Sequence, residues 1–431
     1  MTVQILVLVG VLVLCILLKV PVFLSLFLSA LAYGVCFPGA MHIEVLAQGL
    51  VQGLSSYSLA GVVFFFLAGE IMGAGGIAER LIRVFRAAIG HVQGGLSHVN
   101  VLDSMVFAGV SGSALADTAA TSSIIIPAMK QNGYPAEYAT AITIASSSIG
   151  PIIPPSTGLI LMGIYTGTNV LRLLMGGLVP GIGMGVFMLI ASVIISKKRN
   201  YPRDEWKGWG NLWRELKNNI FALILPVIVV VCLSAGFGTV NEVGAITCVY
   251  AVIVSCFIYR DLDLKGLLKA VQSAAKTAAK LLCIIGSAGI FTWIIGSIGL
   301  RSALQTALTP LIPHPILLLF LCVGIMLLAG MFIDHTIIML VIAPLMAPTI
   351  SAAGIDLVQF CVITMIVCTL GLITPPVGML IYIGSSIAQV NPVKVIRELT
   401  PFIIAILALV VLLVFFPQLT VWFPNLLYGA P

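Results

Sequence analysis

Two stretches of an otherwise oily chain collect the residues that could do chemistry. Residues 109–163 contain GVSGSALADTAATSSIIIP and, after a loop, SSSIGPIIPPSTGLILMG. Residues 330–384 contain GMFIDHTIIMLVIAPLMAP and then TLGLITPPVGMLIYIG. Asp117 and Pro127 recur as Asp334 and Pro344, both 217 positions on. Gly150, Pro154, Pro155 and Gly163 recur as Gly371, Pro375, Pro376 and Gly384, all 221 positions on. A proline lacks its amide hydrogen and clashes with the preceding turn, so Pro-Pro in an apolar run breaks a helix. The freed carbonyl oxygens must then be buried in protein, line a cavity or bind something.

Several carbonyls with a Ser or Thr hydroxyl make a hard-oxygen cage suited to Na⁺. Two related sites are expected. One uses Ser111, Ser113, Gly150, Ile152 and Pro155; the other uses Gly330, Phe332, Gly371, Thr374 and Val377. Asp117 and Asp334 sit in apolar surroundings, where a carboxylate costs about 2.5–3.5 kcal/mol to insert and is rarely idle. Three roles are open to them: completing a cation site, capping the returning half-helix, or organising the substrate pocket. Substrate contacts are expected from Thr121, Ser122, Ser123, Ser156 and Thr157, and half-helix N-termini would draw an anionic solute.

The elements that must position these residues are membrane helices. The 431 residues are 60% hydrophobic and 8% charged, with a mean hydropathy of +1.17. Continuous apolar runs of about 20 residues indicate a polytopic α-helical protein and not a barrel of alternating strands. The first apolar segment has no Lys or Arg before Lys19, so it reads as a retained span and not a cleaved signal peptide. Spans are expected at 3–18, 20–37, 57–75, 173–196, 218–236, 241–259, 281–299 and 401–423. Residues 42–56 read as an interfacial helix. Residues 76–95 and 261–280 read as basic amphipathic stretches, the second ending where the span at 281 begins. The hydrophilic segment 197–217 links two halves and presents Trp206, Trp209 and Trp213 on one helical face as interface anchors. Asp103 and Glu242 are placed at span ends.

With the N-terminus outside, and each polar unit forming a re-entrant hairpin followed by a broken crossing, 19 of the 21 basic residues fall on one side. Only Arg172 and Arg301 fall on the other. That is a strong positive-inside bias; it puts both termini outside and makes the two halves inverted repeats. Inverted repeats with broken helices are the build of secondary transporters.

Other chemistries fit poorly. The nine cysteines form no CxxC pair and the five histidines no HExxH spacing, so no metal enzyme or disulfide framework is expected. There is no phosphate-binding Gly-Lys-Ser/Thr loop, and no nucleic-acid partner is expected. Gly109-Val110-Ser111-Gly112 resembles the GxSG of rhomboid intramembrane proteases, but Leu328 stands at the repeat position of Ser111 and a protease has no use for two inverted broken-helix units. A stand-alone Na⁺/dicarboxylate symporter is a closer alternative.

GVSGSALADTAA, the SSSIGPIIPPS and TLGLITPPVG segments and the inverted halves together resemble the large membrane (M) subunit of TRAP (tripartite ATP-independent periplasmic) transporters, over nearly the whole chain. The resemblance implies a bacterial inner-membrane, Na⁺-coupled importer of an organic acid. It implies two partners: a small four-helix membrane (Q) subunit and a periplasmic substrate-binding (P) protein. It also implies an elevator mechanism, and it leans towards sialic acid (N-acetylneuraminate) over C4-dicarboxylates. Carried onto this chain, it implies scaffold helices in 1–56 and 218–280, and a span with an amphipathic arm in 57–96 and in 281–312. Transport-domain parts would be 97–168 and 313–390, with a span and cytoplasmic linker at 169–217 and a final span in 391–431.

Overall fold

The computed structural model describes residues 2–18, 20–39 and 43–429, apart from the side chains of residues 2, 43 and 108–111. Lys19 lies outside the described residues. Every regular element among them is helical. The first half opens with α1 (Thr2–Leu17), α2 (Val22–Cys36), α3 (Ile43–Leu54) and α4 (Leu59–Ala74), with α3 and α4 bent by 59° at the break between them. The amphipathic α5 (Ile77–Ile89) follows. A hairpin of α6 (Gly95–Ser111) and α7 (Ala114–Gln131) comes next, and then α8 (Ala136–Ser147) and α9 (Thr157–Thr166), one path interrupted at the prolines. The half closes with the long α10 (Val170–Arg199).

After α11 (Trp209–Asn218) the plan recurs as α12 (Ile220–Ser234), α13 (Val240–Val252, prolonged by a π-helical turn), α14 (Leu264–Ser297) and α15 (Leu300–Leu308). The second hairpin is α16 (Pro315–Gly330) and a returning arm of α17 (His335–Ile337), a π-helical stretch and α18 (Ala343–Ala352). Then come α19 (Leu357–Leu372), α20 (Met379–Ala388), α21 (Pro392–Phe415) and α22 (Gln418–Tyr428). The duplication reaches single residues. Asn169 caps α10 and Asn391 caps α21 through side-chain oxygens. Gly76 and Gly299 stand at the same left-handed entry, and both Pro-Pro bonds, 154–155 and 375–376, are cis.

The polar contacts show that the repeats run in opposite directions. The start of α8 meets the chain just after α20, where Glu137 pairs with Lys394 at 3.7 Å, and Lys130 donates to the Ala388 carbonyl at 3.0 Å. The end of α9 meets the start of α19, with Thr166 Oγ1 3.7 Å from Cys361 Sγ. The two broken helices are therefore antiparallel. Further pairs gather the basic segments at one end: Arg80–Asp261 at 2.5 Å, Arg86–Asp204 at 2.6 Å and Arg199–Glu398 at 2.7 Å. The Asp204 hydrogen bond raises the Arg86 guanidinium above its usual range.

Packing joins the helices through three cores. Residues 358–372 of α19 are buried on every side, as are 138–147 of α8, so these two helices form the centre of the largest core. A second core joins α1, α2 and α14 to Leu59 of α4, Leu161 of α9 and the returning arm of the second hairpin, and a third joins α4, α5, α12, α13 and α14 with Phe107 of α6.

Three sequence expectations change. Residues 261–280 are not a separate surface stretch: α14 runs unbroken over 34 residues, so the boundary at 280/281 falls inside a helix. Neither Gly nor Pro stands between Gly266 and Gly286 to stop it. Trp206 precedes α11 and shares no helical face with Trp209 and Trp213; it packs on His91 at 4.3 Å. Asp103 is not at a span end but inside α6, fully buried. Glu242, by contrast, does open α13, in a capping box with Thr239.

Candidate transport site

The tip of the first hairpin is docked on the break between α8 and α9. Gly112 has φ +58°, and a Cβ there would lie 2.9 Å from the Pro155 carbonyl oxygen. Only glycine allows both the left-handed turn and that approach. Thr157 Oγ1 locks the contact by donating to the Gly112 carbonyl at 3.1 Å. Ser113 caps α7 by accepting from the Ala116 amide at 3.4 Å. Ser156 caps α9 by accepting from the Leu159 amide and also donates to the Pro151 carbonyl. Of the first cation set, Ser113 and Pro155 meet here and Gly150 is buried in the same break. The Ile152 carbonyl instead faces α10, 2.5 Å from where a Cβ on Gly177 would lie. Ser111 ends α6, and its side chain lies outside the described residues.

The second hairpin repeats the docking more tightly. A Cβ on Gly371 would lie 2.7 Å from the carbonyl carbon and oxygen of Gly330 and 2.8 Å from its Cα. Thr374, in the unwound segment that follows, donates to the Leu370 carbonyl at 2.6 Å. Gly330, Gly371 and Thr374 are thus together. Phe332 and Val377 have side chains 59% and 45% exposed, so only their carbonyls could serve a cation.

The two aspartates, alike in sequence, do different work. Asp334 is a helix cap: its Oδ1 accepts from the Thr336 amide at 2.8 Å and lies 3.5 Å from His335 Nδ1. Asp117 caps nothing, because Ser113 occupies that place. Its carboxylate is fully buried and accepts from Ser104 at 2.9 Å and Thr121 at 3.0 Å. Ser104 continues through Ser146 to Asn100 and Thr143, a buried polar chain joining α6, α7 and α8. Beside it, neither oxygen of Asp103 has a hydrogen-bond partner.

A cavity of about 210 Å³ lies between the two tips. The starts of α7, α9 and α17 all reach it, through Ser113, Thr157 and Asp334. Across from them α14 contributes Thr277 and Lys280. Lys280 forms no ion pair among the described residues. A second compartment of about 320 Å³ shares Phe66, Ser113 and Thr277 with the first and passes Glu70 to Ala74, towards the basic end.

Of the residues expected to touch substrate, Thr157 and Asp334 line the cavity between the tips. Thr121 is turned to Asp117, Ser122 is buried, Ser156 is spent on backbone, and Ser123 is exposed elsewhere and bonded to the Ala120 carbonyl. Sequence reasoning missed Lys280 and Thr277, because it ended their helix at 280. The uninterrupted SAAKTAAKLL run was the available signal. Among the described residues no group of three His, Cys, Asp or Glu side chains is placed to hold a metal ion.

Two docked hairpins and two broken helices thus enclose a cavity, and comparison with known proteins identifies the family that shares this build. Residues 9–419 match the family model described as the tripartite ATP-independent periplasmic transporter, DctM component. The chain belongs to that family. It is 35% identical to the 2,3-diketo-L-gulonate TRAP transporter large permease protein YiaN of Escherichia coli K12, over 88% of this chain and 89% of that one. It is 31% identical to the sialic acid TRAP transporter large permease protein SiaM of Vibrio cholerae, over 95% and 96%. It is 30% identical to the C4-dicarboxylate TRAP transporter large permease protein DctM of Rhodobacter capsulatus, over 97% and 98%. The fold is shared with the Alcanivorax borkumensis YdaH transporter at a TM-score of 0.63 and 15% identity, covering 89% of this chain and 90% of that one. These relatives are transport permeases, not enzymes, and the chain is a multi-pass membrane transport subunit.

Proposed function

We propose that this TRAP large permease imports an organic acid by Na⁺ symport across the bacterial inner membrane, taking substrate from a periplasmic binding protein and working beside a small membrane subunit. One observation carries the anionic substrate. The N-terminal ends of α7 and α9 and the ammonium of Lys280 converge on one cavity. Helix N-termini present free amides and a partial positive charge, and inside a membrane an unpaired lysine is a functional group by default. A carboxylate placed there meets those amides and Lys280, while the one acidic side chain lining the cavity, Asp334, is engaged in capping α17.

The cations belong at the two tip-to-break contacts, where Gly330–Gly371 and Gly112–Pro155 bring backbone oxygens together. Binding there would tie each hairpin to its broken helix and complete the cavity wall, which makes cation and acid binding cooperative. The central packing of α8 and α19 fits an elevator in which the two hairpins and broken helices move as one body against scaffold helices of α1–α3 and α12–α14. The positive-inside bias makes the basic end cytoplasmic, so the compartment passing Glu70 is the inward exit. Sialic acid is the first substrate to test, beside 2,3-diketo-L-gulonate and a C4-dicarboxylate.

The experiment is uptake into proteoliposomes holding this chain and the small subunit, with the binding protein outside. Uptake of a labelled acid driven by a Na⁺ gradient and abolished by choline is expected. Equal uptake in choline would overturn the Na⁺ reading. Transport by this chain with neither partner would favour a stand-alone symporter.

A further inference from the structure

A cavity of about 460 Å³ lies away from the tips, between α5 and the segment that leads into α11. Its volume is within the range of small-molecule sites, about 300–1,000 Å³. Its position is interfacial. Helix α5 buries Ile77, Leu81 and Val84 on one face and carries Arg80, Arg83 and Arg86 on the other. Helix α11 buries nothing, and its Trp209 and Trp213 are 76% and 72% exposed. A basic amphipathic helix beside exposed tryptophans belongs at headgroup level.

The charges in the cavity have an unusual balance. Arg86 is taken by Asp204, at 2.6 and 3.1 Å. Glu215 accepts from Asn219 Nδ2 at 3.1 Å. Arg83, Lys207 and Glu205 also line the cavity and form no ion pair among the described residues. Trp206 stands against His91, whose Nδ1 is buried with no hydrogen-bond partner. An apolar occupant would leave all three charges unanswered. A simple anion would meet Arg83 and Lys207 but be repelled by Glu205.

We propose that this cavity binds a zwitterionic phosphoethanolamine group, supplied as the headgroup of a membrane phospholipid. The phosphodiester takes charge-assisted hydrogen bonds from Arg83 and Lys207. The primary ammonium is met by Glu205 and by the face of Trp206. The bound lipid links α5, which leads into the first hairpin, to the linker between the two halves, and so steadies the arm on the membrane surface.

The full chain, purified in mild detergent, is titrated with phosphatidylethanolamine, phosphatidylglycerol or soluble glycerophosphoethanolamine, and retained ligand is read by native mass spectrometry. Phosphatidylethanolamine is expected to bind at least tenfold more tightly than phosphatidylglycerol. The R83Q/K207Q double variant should lose that binding at least tenfold, while K217Q, outside the cavity, should keep it. Glu205→Gln tests the ammonium contact without touching the phosphate ligands, should the double variant fail to fold. It should erase the preference between the two lipids while both still bind. Equal binding of the two lipids by the unaltered chain, or an unchanged preference in Glu205→Gln, would overturn the proposal. Binding of the soluble headgroup as tightly as the lipid would overturn its membrane source.

Discussion

Gly371→Ala tests the second cation site where its geometry is tightest. The new Cβ would lie 2.7–2.8 Å from three backbone atoms of Gly330, whereas ordinary contact begins at 3.4 Å. The hairpin tip must therefore retreat from the broken helix by about 0.7 Å. Both sides of the contact are backbone and α19 is buried throughout, so no side chain can rotate away. Overpacking of this kind costs about 1–3 kcal/mol. If about 1.4 kcal/mol of that falls on cation binding, the half-saturating Na⁺ concentration rises tenfold. Gly324→Ala is the control: in α16 of the same hairpin a Cβ there meets nothing within 4 Å, and replacing a helical glycine by alanine favours the helix by about 0.5–1 kcal/mol. Na⁺-driven uptake in proteoliposomes with both partners gives the half-saturation, and thermal unfolding with and without Na⁺ gives the stability. G371A should need about tenfold more Na⁺ and lose the stabilisation Na⁺ confers; G324A should match the unaltered chain in Na⁺ dependence and be at least as stable. A Gly371→Ala protein that is less stable but has unchanged Na⁺ dependence would show that this contact is packing alone.

Lys280→Gln should raise the KM for the acid about tenfold and leave Na⁺ half-saturation unchanged, as measured by initial-rate uptake; an unchanged KM would remove Lys280 from the site. The aspartates should behave differently in thermal unfolding. Asp334→Asn keeps a good N-cap and should change stability little, whereas Asp117→Ala strands the Thr121 hydroxyl and leaves Ser104 with Ser146 alone, and should cost about 1–3 kcal/mol. Arg80→Gln breaks a partly exposed pair with Asp261 and should cost no more than about 1 kcal/mol, with the difference shrinking at high salt.

The sequence by itself determined the broad plan, because each feature it used is local. Breaks at Pro154–Pro155 and Pro375–Pro376, the apolar runs, the matched offsets and the bias of basic residues need no knowledge of neighbours. They are enough for an all-helical membrane fold with two hairpins, two broken helices and inverted halves. Tertiary structure decided what depends on facing. Asp117 and Asp334 share a motif, yet one lies inside a polar chain across three helices and the other caps a helix, because Ser113 already holds the capping place in the first hairpin. Ser122, Ser123 and Thr157 are all polar, but only Thr157 lines the cavity, since position on the break and not residue type sets direction. Lys280 was read as the end of a surface stretch; the unbroken α14 carries it to the hairpin tips, a consequence of helix length and of which helix packs opposite.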